Sequence, residues 1–221
     1  MKIAVLSDIH SNMPALKEVL KGIDGMEIFC CGDLVGYNPF PNEVVELFRK
    51  KHIHCILGNH DQAVITGDTS WFNPIAARAI EWTIEALKDE NLEFLKTLPR
   101  VYEDGFYAVH GSPRNQLEEY VYPDYPLEVL LSFFDSTEKN VMALGHTHTP
   151  FQKRLDDKLL FNPGSVGQPR DLDPCAAYAI LDLDINDVEI RRVEYDIDEV
   201  ADAIIERGLP TALAQRLHLG W

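Results

Sequence analysis

The chain has 221 residues, of which 46% are hydrophobic and 25% charged, a composition that excludes a disordered or fibrous protein and leaves material for a sizeable core. Its 36 acidic and 20 basic residues give a formal charge of −16; such a surface repels polyanions and excludes a broad nucleic-acid-binding face. No run approaches the ~18 apolar residues of a membrane span.

Taken in order, Ile3 to Leu6 is a short apolar run of the buried-strand type. It is too short for the apolar run of an export signal, and no small-residue cleavage site follows it. Leu16, Val19, Leu20 and Ile23 recur at helical spacing after the cap Asn12-Met13-Pro14. Ile28 to Cys31 predicts a second strand, stopped by Gly32-Asp33; Val44, Val45, Leu47 and Phe48 predict an amphipathic helix; Ile53 to Leu57 predicts a third strand, stopped by Gly58-Asn59. This β-α-β-α-β alternation argues a parallel sheet with helices on its faces.

Residues 73–96 read as one long helix introduced by Trp71 and Phe72. Val101-Tyr102 and Phe106 to Val109 flank Glu103-Asp104-Gly105, a hairpin signal. Leu127 to Phe134 predicts a helix and Val141 to Leu144 a strand stopped by Gly145. The runs Phe151 to Leu155, Leu159 to Phe161, Ala177 to Leu183 and Val188 to Val193 are joined by tight turns and predict antiparallel pairing. Asp198 to Arg207 reads as the last helix, ended by Gly208-Leu209-Pro210, and residues 208–221 carry no assignable pattern. With no repeat or linker, a single domain over 1–221 is expected. The four cysteines (Cys30, Cys31, Cys55, Cys175) contain no C-x-x-C spacing. They read as reduced thiols of a cytoplasmic protein.

The chemistry concentrates where the apolar runs stop. Five of them end in Ser7-Asp8-Ile9-His10, Gly32-Asp33, Gly58-Asn59-His60-Asp61, His110-Gly111 and Gly145-His146-Thr147-His148. In an open α/β sheet, ligands collect beyond the carboxyl ends of the strands. Asp8, His10, Asp33, Asn59, His110, His146 and His148 make an oxygen- and nitrogen-rich set too large for one ordinary transition-metal ion. The set suits two ions bridged by a carboxylate. Without thiolate it favours Mn2+, with Fe, Ni, Zn and Co as alternatives. Each fragment alone has an ordinary structural explanation, Gly-Asp as a turn or a lone His as a satisfied polar residue; the ordered set is far more specific.

That ordered set resembles the calcineurin-like metallophosphoesterase superfamily. Gly32-Asp33-Leu34-Val35-Gly36-Tyr37-Asn38-Pro39 and Asn162-Pro163-Gly164-Ser165 with Val166 to Arg170 are similar to its small prokaryotic phosphodiesterase branch. The resemblance spans residue 1 to about 195. It implies an α/β fold of two mixed sheets packed as a sandwich with helices outside. It implies one ion on Asp8, His10, Asp33 and His148, and a second on Asp33, Asn59, His110 and His146, with Asp33 bridging and His60 outside the ligand set.

Two divalent ions against Asp8, Asp33 and a bridging hydroxide leave a net charge of about +1, a local well for a small anion on an acidic protein. The hydroxide would attack phosphorus. His60, in its charged form, would assist the leaving oxygen. Asp61 would orient His60 or favour its charge, unless it is simply the acidic residue of a helix N-terminus. Arg170 and Arg114 are candidates to contact a substrate phosphate. Tyr37 and Asn38 are candidates to line the pocket, and Trp71, Phe72 and the middle helix to form its rim, core packing or a dimer contact being the plainer reading. The expected function is hydrolysis of small phosphodiesters, with dinucleoside polyphosphates and cyclic nucleotides as candidates by resemblance. A phosphomonoesterase or phosphoprotein phosphatase is the alternative, and a non-catalytic scaffold on the same fold is the alternative of another class. A homodimer through the middle helix or the tail is left open.

Overall fold

The computed structural model describes residues 1–221. In chain order the elements are β1 (Lys2–Leu6), α1 (Met13–Gly22), β2 (Glu27–Cys30), α2 (Pro41–Lys51), β3 (His54–Cys55), α3 (Asn59–Thr66), α4 (Pro74–Ala86), α5 (Asp89–Lys96), β4 (Val101–Tyr102) and β5 (Tyr107–Val109). There follow α6 (Leu127–Ser132) with a 3-10 turn over Phe133–Ser136, β6 (Val141–Ala143), β7 (Phe151–Leu155), β8 (Lys158–Asn162), β9 (Ala176–Asp182), β10 (Asp187–Val193), α7 (Ile197–Glu206) and α8 (Thr211–Leu219). No helix is long and apolar enough to cross a membrane.

The strands form two five-stranded mixed sheets, ordered β10-β9-β1-β2-β3 and β4-β5-β6-β8-β7. They face each other as the expected sandwich. Period-two alternation sorts their side chains. In β1, Ile3 and Val5 enter the core between the sheets with Phe29, Cys31 and Leu181 from the same sheet and Phe106, Ala143, Leu159 and Phe161 from the other. Ala4 and Leu6 face the opposite way, against Leu16 and Val19 of α1 and Val44 and Phe48 of α2. Leu130 and Phe133 cover the outer face of the second sheet over Met142 and Leu160. Being buried on both faces, the central strands read as continuous apolar runs.

Four expectations are corrected. First, the second half is not uniformly antiparallel. β7 and β8 form a hairpin, but β8 inserts beside β6 and runs parallel to it, while β9 leaves for the first sheet and lies antiparallel to β1. A tight turn fixes only the two strands it joins, and says nothing of the neighbour on the other side. Second, the long helix over residues 73–96 is two helices. The side chain of Asn42 breaks it, donating from Nδ2 to the Ala86 carbonyl (2.8 Å) and accepting from Lys88 N–H (2.9 Å) and Asn91 Nδ2 (2.9 Å). Those contacts stabilise the end of α4 and the start of α5 together, a break made by a residue over 40 positions away. Third, the run from Ile53 to Leu57 pairs as a strand only at His54–Cys55. Fourth, the unassigned tail contains α8. Leu213, Ala214 and Leu217 pack on Val200, Ala201 and Ile204 of α7 and on Tyr37, Ala76 and Ala79.

Candidate metal centre

Five loops leave the carboxyl ends of β1, β2, β3, β5 and β6 and are stitched to one another through the backbone. Asp8 N–H donates to Gly32 O (3.0 Å), His10 N–H to Asp33 O (2.9 Å) and Gly145 N–H to His110 O (2.9 Å). The segment after β8 braces the first loop: Val166 N–H donates to Ser7 O (3.0 Å), Gly167 N–H to Asp8 O (2.9 Å) and Ser165 Oγ to Asp8 O (2.7 Å). Gly167 lies against the Ile9 carbonyl and Gly58 against the Asp33 carboxyl, each so closely that a Cβ would overlap its neighbour. Small residues are required there by approach rather than by turn geometry.

The backbone is strained at this locus. Asp8, His10, Asp33, His146 and His148 all have positive φ, between 45° and 68°. Each such non-glycine residue costs about 1–3 kcal/mol, and persists only where surrounding structure over-determines it. Five of the seven expected ligands therefore sit in a conformation their side chains disfavour.

The side chains converge. His148 Nε2 lies 3.2 Å from Asp8 Oδ1, and His10 Nε2 lies 3.7 Å from Asp8 Oδ1 and 3.6 Å from Asp33 Oδ2. His110 Nε2 is 3.4 Å from Asp33 Oδ2 and 3.0 Å from Asn59 Oδ1. The Nδ1 atoms of His10, His110 and His148 pair with the carbonyls of Val35 (3.1 Å), Cys31 (2.7 Å) and Gln168 (2.5 Å). A carbonyl accepts, so each Nδ1 carries a proton, which leaves Nε2 as the atom that binds a metal when the ring is neutral.

Among the buried atoms at this locus that lack any hydrogen-bond partner are Asp8 Oδ1, Asp33 Oδ2, His146 Nε2 and His60 Nδ1. Burying an unpaired carboxylate oxygen is strongly unfavourable, and a divalent cation is the partner that suits both carboxylates and imidazole. The spacings above also fit ligand atoms ~2.0–2.2 Å from a common ion. Asp8, His10 and His148 form one group able to hold an ion, Asp8, Asp33 and His110 another, and His10, Asp33 and His60 a third, so geometry alone does not set His60 apart from the ligands. The donor set fits divalent ions.

Electrostatics supports this. Burial opposes ionisation of Asp8, but His148, His10 and His110 overcome it and hold its pKa well below the usual range. Burial likewise opposes ionisation of Asp33, and His110 and His60 overcome it. Burial and then the charge of His110 push His146 down to about 3; burial and then Arg170 push His148 down to about 4. Both rings are thus neutral, as ligands must be. His110 goes the other way: against burial, Asp33 raises it to about 10. It acts as the counterion to Asp33 until a cation replaces that proton.

The remaining expected residues divide. His60 lines the cavity at this locus; its N–H donates to Asp33 Oδ1 (2.8 Å), and its ring packs against Tyr37 (4.4 Å), His10 (4.7 Å) and Phe72 (4.8 Å). Arg170 donates to Tyr37 Oη and Gln168 Oε1 (3.1 Å each), and both Arg170 and Tyr37 line the cavity. Asn38 is a brace, donating to His10 O (2.9 Å) and Gly167 O (3.2 Å).

Asp61 does not orient His60. Its carboxylate accepts from Val35 N–H and Gly58 N–H (3.1 Å each), capping α3 and tying it to the loop after β2. Burial, then the charge of Asp33, raise its pKa to about 6. Arg114 does not face the cavity either. The chain turns back at once, with Gly111 N–H donating to Gln116 O (2.8 Å), and the guanidinium pairs with Glu119 instead.

The cavity measures about 710 Å3, within the usual range for small-molecule sites. Tyr120, Tyr122, Arg216 and Trp221 also line it, and no sequence motif marks them. Tyr120 stacks on His146 at 3.9 Å. For Arg216 and Trp221 the one signal in the sequence is Pro210 and Gly220 bracketing a short helix.

Comparison with known proteins agrees with this geometry. Residues 1–186 match the model of the calcineurin-like phosphoesterase superfamily domain. An uncharacterized protein of Methanocaldococcus jannaschii is 40% identical over 99% of this chain and 98% of its own. Phosphodiesterase YfcE of Escherichia coli K12 is 26% identical over 84% of this chain and 89% of its own. The crystal structure of a metallophosphoesterase from Sphaerobacter thermophilus superposes with a TM-score of 0.89 at 37% identity, covering 100% of this chain and 99% of that one.

Proposed function

The chain belongs to the calcineurin-like phosphoesterase superfamily and is a phosphoester hydrolase, and on that premise we propose that it is a phosphodiesterase for small substrates, working with two divalent ions that share Asp33. The observation that carries this is the pair of buried, unpartnered carboxylate oxygens, Asp8 Oδ1 and Asp33 Oδ2, facing the Nε2 atoms of His148, His10 and His110. Asp8, His10, Asp33 and His148 would hold one ion, and Asp33, Asn59, His110 and His146 the other. We propose Mn2+ as the ion, with Fe, Ni, Zn and Co as alternatives that this mixed oxygen and nitrogen set also accepts. When bound, such ions supply a hydroxide nucleophile near neutral pH and positive charge for the phosphate oxygens.

The chain's own residues do the rest. Arg170, held by Tyr37 and Gln168, presents its guanidinium to a phosphate oxygen at the cavity wall. His60 serves the leaving oxygen. Burial lowers its pKa well below the usual value; Asp33 opposes that, and His10 and Arg170 add to it. The ring is therefore neutral in the free protein, and it acts as an N–H hydrogen-bond donor rather than as the charged acid expected from sequence. The unpaired cysteines, three of them buried, support a reducing compartment, and we place the protein in the cytoplasm.

Chelator-treated protein is expected to hydrolyse bis(p-nitrophenyl) phosphate at no more than a background rate and to recover on addition of Mn2+. Full activity in protein shown to be metal-free would overturn the metal-dependent reading. In the same assay, p-nitrophenyl phosphate separates diesterase from monoesterase preference.

A further inference from the structure

The superfamily match ends at residue 186, yet the wall of the cavity is completed by Arg216 and Trp221, from the end of the chain. That end is built into place. Leu172 N–H donates to the Gly220 carbonyl (2.8 Å), and Trp221 N–H to the Arg216 carbonyl (3.2 Å). Gly220 has a φ of 62° and a Cβ there would meet the Asp173 backbone at 2.6 Å, so this position is made for glycine. The loop beginning at Arg170 and the terminus of α8 are thus clipped together beside the cavity.

What they present is matched to a particular class of molecule. Most arginines of this acidic chain pair with carboxylates: Arg49, Arg78, Arg114, Arg154, Arg191 and Arg192 all do. Arg170 and Arg216 lie on the cavity instead, where Asp33 is the only acidic side chain in the lining. Arg216 is held over the Trp221 ring, 5.3 Å from its centroid. Two large rings that line the cavity are left open to water, Trp71 at 50% and Trp221 at 60% exposure. An exposed indole beside an unpaired guanidinium is a platform for a planar heterocycle next to an anion.

Resting on the phosphodiesterase reading above, we propose that the C-terminal helix forms a specificity subsite, in which Arg216 takes a phosphate beyond the scissile one and Trp221, with Trp71, stacks the base of a nucleotide. The substrate class is a linear nucleotide carrying more than one phosphate. A cyclic mononucleotide has no second phosphate for Arg216. With diadenosine triphosphate as probe, water adds to one phosphorus, one P–O–P bond breaks, and ADP and AMP leave, the water protons going to the leaving oxygen and to solvent.

The test compares kcat/KM of the Mn2+-loaded full chain for diadenosine triphosphate, cyclic AMP and bis(p-nitrophenyl) phosphate. The wild type is expected to favour diadenosine triphosphate over cyclic AMP at least tenfold. Arg216→Ala and Trp221→Ala each lower the ratio of diadenosine triphosphate to bis(p-nitrophenyl) phosphate by about tenfold or more, a loss on the scale of one stacked base or one charged phosphate contact. Arg216→Lys recovers part of that ratio. Binding is read separately, as quenching of tryptophan fluorescence by ADP, which Arg216→Ala weakens. Ratios within twofold of wild type in both alanine variants, with ADP quenching unaltered, would overturn the subsite. Quenching that depends on Arg216 in a protein unable to hydrolyse any of the three would sink the hydrolase reading while upholding the subsite.

Discussion

Asp33→Asn is expected to reduce phosphodiester hydrolysis by at least ~10³-fold and to lower metal content below one ion per chain. The magnitude follows from position. Altering a residue that only supports a ligand already costs about 10–100-fold in metal affinity or activity, and Asp33 is the proposed shared ligand. The substitution keeps shape and keeps an acceptor at Oδ1 for the His60 N–H, which now donates at 2.8 Å. It removes the charge at Oδ2, the atom 3.6 Å from His10 Nε2 and 3.4 Å from His110 Nε2. Removing that charge also removes the reason for His110 to be protonated in the metal-free protein, since Asp33 is what raises its pKa to about 10. The variant should therefore remain folded, with an unfolding midpoint within a few degrees of the metal-free wild type. Normal turnover with two bound ions would show that Asp33 is not the bridge.

His60→Ala should reduce turnover ~10²–10⁴-fold, the range for losing a group that serves a proton or a developing charge, while metal content stays at two. The two effects are expected to separate because the hydrogen bond His60 makes to the centre comes from its backbone N–H, which alanine retains, whereas its ring packs among Tyr37, His10 and Phe72. The ring is otherwise unanchored by hydrogen bonds, Nδ1 being buried and without a partner. Loss of metal together with activity would make His60 a ligand or a support for one. An unchanged rate would remove it from the reaction.

Both variants alter residues that stand out in the amino-acid sequence, and the physical reason is specific. A strand ending in Gly, Asp, Asn or His breaks the apolar run abruptly. Parallel neighbours end on the same side, so Asp8, Asp33 and Asn59 group together after β1, β2 and β3 and His110 and His146 after β5 and β6, and the packing of the two sheets brings both groups to one place. Adjacency in sequence is a poorer guide to adjacency in space. Arg114 follows His110 closely, but the turn from Gly111 to Gln116 carries it away to Glu119. Asp61 neighbours His60, but on the first turn of α3 their side chains diverge and the carboxylate caps the helix.

The other differences have long-range causes. The break between α4 and α5 is made by Asn42, and nothing within residues 73–96 announces it. The placement of β8 beside β6 depends on which edge the hairpin chooses. The tail carries no assignable pattern, and α8 takes its place in the cavity wall by packing against the neighbouring α7 and against Tyr37, Ala76 and Ala79, partners more than 130 positions away.

A dinuclear centre bridged by Asp33 is open to one decisive measurement: anomalous diffraction from crystals of the Mn2+-loaded chain, recorded on both sides of the manganese absorption edge. Two peaks ~3.5–4 Å apart are expected, with Asp33 between them, one beside Asp8, His10 and His148 and the other beside Asn59, His110 and His146. A single peak at full occupancy, or two peaks of which neither touches Asp33, would refute the bridged pair.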